Sequence, residues 1–314
     1  MSSNVYQLDE KSALKIISLL PESDSNLPAG SKYRKKIEGH TVTIYNSNKF
    51  MVQGSASEML AIKLLGNAGI KVAASSEKKN VAGKTISYDA FNCIGSDEAG
   101  SGDFFGPMTV VASYVSKKNA EILKVLGVMD SKNLKDDKII ALAEQIIPII
   151  PHSLLVLENP KYNERKAIGW SQVKMKAVLH NQAITNVLKK IDGAPLDYIV
   201  IDQFAVQGVY ENYALTAIPE REKTRFETKG ESKSIAIAAS SIIARYAFVK
   251  YYDQIIRETG IHITKGAGAK VDLEAAKIIE RKGIAYLDSI TKKDFKNREK
   301  ALGLVNKKNR SEMI

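Results

Sequence analysis

Several things are scarce in this chain, and each scarcity closes off a class of function. Cys93 is the only cysteine, so no intrachain disulfide can form and a thiolate zinc cluster is excluded. The four histidines, His40, His152, His180 and His262, fall at no ligand-like spacing, and each reads as a structural or surface residue. No run of about 18 apolar residues exists to span a bilayer, and the N-terminus lacks the charged-then-apolar pattern of a signal peptide. A soluble cytoplasmic protein, working as a monomer in a reducing compartment, is expected. Acids are also in deficit: 35 Asp and Glu face 46 Lys and Arg, a net charge of +11. That balance points to a polyanionic partner.

The 314 residues suffice for one large domain and one small one. The first segment reads as a small α/β module, with a strand at Asn4–Leu8 and a helix from Glu10 to Leu20 that Pro21 stops. Tyr33–Glu38, Thr41–Tyr45 and Phe50–Gln53 then read as an antiparallel meander, joined at the turn-prone Gly39-His40 and Asn46–Asn48. Ala56 to Leu65 has helical spacing, with Gly66 as its C-cap. Between Ile70 and Thr85 the composition turns to Ala, Ser, Glu and Lys, which marks a linker. The expected domains are 1–85 and 86–314.

In the larger domain Phe91–Asp97, Met108–Val115, Ser153–Leu157 and Asp197–Asp202 read as strands. Long helices are expected within Trp170–Ile191, Ser234–Arg257 and Leu273–Arg281. The alternation implies an α/β domain around a central mixed sheet. Lys307–Arg310 reads as a basic tail without fold.

Asp97-Glu98 leaves the first of these strands and runs straight into a glycine-punctuated stretch. Adjacent carboxylates at a strand end are costly unless a cation or water compensates them. Asp202 ends the apolar run Tyr198–Ile201, a position where open α/β sheets bind ligands. Glu231, just before a long helix, has helix capping as its simpler role. Together the four acids suit hard divalent ions, Mg2+ or Mn2+, because such ions take oxygen ligands. Two ions about 3.5–4 Å apart would serve an in-line phosphoryl displacement. The Lys-Ser/Thr of a phosphate-cradling loop is absent, as is a dinucleotide fingerprint. Gly100 and Gly102, having no Cβ, allow a ligand close to the backbone. Lys132 and Lys229 are candidate phosphate partners. The run Lys32-Tyr33-Arg34-Lys35-Lys36 has four cations and no acid; it reads either as a charge-protected edge strand or as a phosphate contact.

Taken in order, Gly95-Ser96-Asp97-Glu98-Ala99-Gly100, Asp130-Ser131-Lys132, Ile201-Asp202, Lys229-Gly230-Glu231-Ser232 and Ala238 to Arg245 resemble the motifs of type 2 ribonucleases H. The resemblance implies a ribonuclease H-like fold. It also implies metal-dependent endonucleolytic hydrolysis of the RNA strand of RNA–DNA hybrids, leaving 5′-phosphate and 3′-hydroxyl ends. By resemblance Asp97, Glu98 and Asp202 are metal ligands and Glu231 completes the cluster. Gly100-Ser101-Gly102 is similar to the loop that senses the ribose 2′-hydroxyl, with Ser101 where ribonuclease HII carries arginine. Glu231 in place of aspartate, and an N-terminal module similar to the TATA-box-binding fold, point to the HIII branch, in which that module binds substrate. Lys265-Gly266-Ala267-Gly268 resembles a ribonuclease HII motif whose tyrosine is Ala267 here, although Tyr286 could fold into that role. The alternatives are ribonuclease HII-like cleavage at single embedded ribonucleotides and a non-catalytic hybrid-binding protein.

Overall fold

The computed structural model describes residues 3–27, 30–54, 57–70, 87–128 and 134–312. Most of the expected linker, and the motif Asp130-Ser131-Lys132 with its candidate Lys132, lie outside them. The chain divides into two compact units, Met1–Lys84 and Thr85–Ile314.

In the first unit β1 (Ser3–Gln7), α1 (Glu10–Ser18), β2 (Ser31–Ile37), β3 (His40–Tyr45), β4 (Lys49–Gln53) and α2 (Ser57–Asn67) follow one another. The expected meander forms, and β1 adds to it antiparallel beside β4, giving the order β1-β4-β3-β2. Asp9 caps α1 by accepting a hydrogen bond from the Ser12 amide at 2.7 Å, as an N-cap carboxylate does. Ala13 and Ile16 of α1 and Leu60, Ala61 and Leu65 of α2 bury against Tyr33, Val42, Ile44, Phe50 and Val52 of the sheet. Gly66 is not the C-cap: α2 runs on to Asn67, and the left-handed turn falls at Gly69, φ +62°.

Strand alternation sorts the basic run onto two faces. Tyr33 is 1% exposed and its hydroxyl donates to the Pro21 carbonyl at 2.9 Å, so the reading of Tyr33 as a substrate contact is corrected to a core role. Lys35 lies on the same helix-covered side and pairs with Asp24 at 3.1 Å. Arg34 and Lys36 fall on the opposite face.

The second unit holds β5 (Cys93–Ala99), β6 (Met108–Val115), α3 (Lys117–Leu126), α4 (Asp136–Ile146), β7 (His152–Leu157), α5 (Asn159–Ala167) and α6 (Gln172–Ile191). After them come β8 (Tyr198–Asp202), α7 (Gln207–Tyr213), β9 (Thr224–Glu227), α8 (Ile235–Thr259), α9 (Ala269–Lys282), α10 (Ile284–Ile290) and α11 (Asn297–Glu312). The sheet is mixed, in the order β7-β6-β5-β8-β9, with β5 antiparallel to β6 and parallel to β8. α8 covers one face, where Val111 and Val200 meet Ala236, Ala239 and Ile243. α6 covers the other, with Met175, Ala177 and Ile184 against Ile94, Val110 and Ile199. α8 approaches closely because Gly95 has no side chain: a Cβ there would lie 2.1 Å from the Ala236 carbonyl carbon. The run Lys307–Arg310 is no tail but part of α11; Ala301 is fully buried in the core that α11 shares with α9, and Leu304 and Val305 pack against it.

Candidate active site

β5 and β8 run parallel in register from Cys93↔Tyr198 to Ser96↔Ile201. The next residue on each strand is an acid, so Asp97 and Asp202 end side by side. Because successive side chains alternate, both lie on the α8 side with Gly95 and Val200, whereas Glu98 falls on the α6 side with Ile94 and Ser96. All three line one cavity of about 380 Å³ together with Glu231.

Glu231 reaches that wall through a tight 3-10 turn, Gly230–Ser232, entered from Lys229 at φ +54°. Lys229 is exposed beside it. The Gly230 amide donates to Asp202 Oδ1 at 2.7 Å, and a Cβ on Gly230 would strike Ile237 at 2.5 Å. The capping role expected of Glu231 belongs to Asp89, whose Oδ1 accepts from the Ile235 amide at 2.8 Å.

The neighbouring acids differ sharply in proton affinity. Burial, and then the charges of Glu98 and Asp202, push the Asp97 carboxyl well above the usual range. Burial also works to raise Glu98, but the hydrogen bond and charge of His180, and then Lys176, hold it down to about 2. Lys176 Nζ lies 2.5 Å from Glu98 Oε1, and His180 Nε2 lies 3.1 Å from Oε2. His180 is therefore part of the site, a correction to its reading as merely structural. Among the described residues no group of three or more His, Cys, Asp or Glu is already gathered about one ion position. Glu98 in particular is turned toward α6, where Lys176 and His180 hold it. The donor set itself is oxygen-only and includes a buried carboxyl that does not ionise readily without a cation nearby, which fits a hard divalent ion.

The loop after β5 is held on several sides. Gly100 takes φ +82°, and a Cβ there would lie 2.3 Å from the Pro107 carbonyl oxygen. Gln172 donates to the Ser101 carbonyl at 2.8 Å, while Gly102 faces open space. Asp103 Oδ1 accepts from the Gly266 amide at 2.6 Å, which ties the residue 265–268 segment to this loop. Behind it the fully buried Lys292 donates to the carbonyls of Asp103 and Gly106 at 2.8 and 2.6 Å. Arg245 and Lys265 also line the cavity, both near Asp136, at 3.6 and 2.5 Å. No tyrosine is among the described lining residues; Tyr286 instead donates to Glu258 at 3.1 Å.

Sequence reasoning missed Lys176, His180, Asp103, Arg245 and Lys265. A usable signal existed for the first two: a lysine and a histidine four residues apart on one helical face.

Fold and carboxylate cavity together define the class, ribonuclease H-like α/β enzymes. A family model described as Ribonuclease HII matches residues 94–298, and one described as a domain of unknown function matches residues 3–78. A ribonuclease HIII of Macrococcus caseolyticus is 73% identical over 314 residues, covering 98% of this chain and 100% of that one. One from Staphylococcus aureus (strain MW2) is 56% identical over 305 residues, 96% of this chain and 98% of the relative. The chain belongs to the ribonuclease HIII family and, as an enzyme, is a ribonuclease H. The crystal structure of Bst-RNase HIII in complex with Mn2+ matches at TM-score 0.68 and 35% identity, covering 98% of this chain and 100% of that one. Ribonuclease H2 from Pyrococcus horikoshii shares the fold at TM-score 0.55 and 22% identity, over 69% of this chain and 100% of that one.

Proposed function

We propose that this cavity cuts the RNA strand of RNA–DNA hybrids. Asp97, Glu98, Asp202 and Glu231 would hold two divalent ions, Mg2+ or Mn2+, and the products would carry 5′-phosphate and 3′-hydroxyl ends. The observation that carries the reading is the place of Asp97 and Asp202, each one residue past the last paired positions, Ser96 and Ile201, of adjacent parallel strands, with Glu98 and Glu231 in the same wall. The Mn2+ complex of Bst-RNase HIII supports a divalent ion. When bound, such ions supply Lewis acidity at the scissile phosphate. The chain's own residues orient the substrate. Residues 100–102 offer backbone groups to the ribose 2′-hydroxyl, the group that separates RNA from DNA. Lys229 and Lys132 hold flanking phosphates without reading sequence. Arg34 and Lys36 of the first unit contact the duplex backbone, and Lys35 at the edge of the covered face contributes less. The protein acts as a monomer in the cytoplasm.

Preference for continuous RNA over a single embedded ribonucleotide is supported by Ala267, and by a described cavity wall without tyrosine. The test compares initial rates in Mg2+ on an end-labelled hybrid and on duplex DNA with one ribonucleotide, with product ends mapped. Faster cleavage of the hybrid is expected; comparable rates on both would overturn the preference.

A further inference from the structure

Glu98 is gripped from its α6 side by an organised set of residues. His180, with no exposed side-chain surface, places Nδ1 2.7 Å from Ser96 Oγ, and that hydroxyl lies 3.0 Å from the Val111 carbonyl, to which it can donate. The His180 ring sits 5.0 Å from Phe204, and the Lys176 ammonium lies 5.3 Å over the same Phe204 ring. Lys176 and Glu98 are each only 12% exposed. Drawing a lysine ammonium this far from water is costly without a compensating anion. The anion it has found is one of the four carboxylates of the cavity.

We propose that Lys176 is the site's resident counter-cation. It holds Glu98 against the His180–Ser96 support and must give up Glu98 Oε1 when a divalent ion binds. Lys176 is thus a positioning residue that sets ion affinity. This rests on the metal-site reading above. Asp97 and Asp202 share one face of the sheet and Glu98 the other, so an ion that recruits all three must draw Glu98 away from an ammonium at bonding distance. Like charges at such range repel strongly in a partly buried site, so Lys176 weakens ion binding. In exchange it balances the carboxylate charge whenever no ion is present. His180 differs in kind: it contacts the other oxygen, Oε2, and orients the carboxylate while Oε1 is released.

The experiment is Mn2+ titration by calorimetry on the full chain without nucleic acid. Wild type, Lys176→Met, Lys176→Gln, Lys176→Arg and Asp202→Asn are compared, with circular dichroism to establish folding. The two neutral variants are expected to bind Mn2+ about tenfold more tightly, and Lys176→Arg to stay near wild type. Unchanged or weaker binding in the folded neutral variants overturns the proposal. Asp202→Asn serves the separate question: if it binds Mn2+ as wild type does, the metal-site reading itself falls, whatever the lysine variants do.

Discussion

The two sheets of this protein offer their chemistry in opposite ways. Among the described residues the four-stranded sheet has helices on one face: Tyr33, Ile44 and Phe50 are buried beneath them, while Arg34, Met51 and Val5 align across the other, with the nearly buried Thr43 between Arg34 and Met51. The five-stranded sheet is covered on both faces, by α6 and α8. Its central strands can therefore present polar groups only where they end, and there Asp97, Glu98 and Asp202 stand. A half-covered sheet exposes an area, which suits an extended polyanion; a fully covered one exposes a point, which suits breaking one bond.

The largest effect should come from that point. Asp202→Asn or Asp97→Asn should lower hybrid cleavage by roughly 10³-fold, with the circular dichroism spectrum and hybrid binding retained. Near wild-type cleavage by Asp202→Asn in Mg2+ would remove the point from the comparison. Next in size is the packing that creates the strand end. Gly95→Ala would drive a Cβ to 2.1 and 2.2 Å from backbone atoms of Ala236 and Ile237, so a loss of about 3 kcal/mol is expected in urea unfolding. Gly102→Ala meets nothing within 4 Å and should stay within about 0.5 kcal/mol.

How much of this is legible in the sequence depends on range. The meander, the mixed sheet and the placing of Asp97 and Asp202 each after an apolar run follow from periodicity, a local signal; that their two strands lie side by side does not. Tyr33 reads wrongly as a contact because a basic run looks uniform along the sequence, while the pleat divides it between two faces. Gly66 looks like a cap because its neighbours carry the last strong apolar spacing, yet nothing in a single helical glycine stops a helix. Lys307–Arg310 looks like a tail because its charge hides the packing of Ala301, Leu304 and Val305. The grip of Lys176 and His180 on Glu98 bridges about 80 residues: their four-residue spacing marks a shared helical face, but nothing local says which acid that face meets.

Lys292 links the covered sheet's active-site loop to pH. Burial holds its ammonium down to about 8 against an ordinary 10.5, even though Asp103 and Asp294 work to raise it. Below pH 8 both folded and unfolded chains carry the proton. Between about 8 and 10.5 only the unfolded chain does, so this group's contribution to stability rises with pH across that window, by about 1.4 kcal/mol per unit at most. Unfolding of wild type and Lys292→Met at pH 7 and pH 10 checks this. The wild type should gain on the variant at the higher pH; a constant difference would show that the lysine is not so perturbed.

The smallest expected effect tests the open face. Arg34 and Lys36 point away from the helices that cover the sheet, whereas Lys35 lies between them on the covered side and is paired with Asp24 at 3.1 Å. If the open face meets nucleic acid, each phosphate deprived of its cation should flatten the dependence of log affinity on log salt by about 0.9. The double variant Arg34→Ala/Lys36→Ala should then lose nearly two units of slope and raise KM with little change in kcat. Lys35→Ala should leave the slope almost unchanged, since its ammonium already has an anion and lies on the other face. All three cations are near neighbours with the same formal charge, so a general electrostatic attraction to the duplex would treat them alike. Equal slopes for Lys35→Ala and a single Arg34→Ala variant, measured by hybrid binding in rising salt without metal, would mean that only net charge matters. Unequal slopes, in the stated direction, would mean that the pleat selects which cations reach the phosphates.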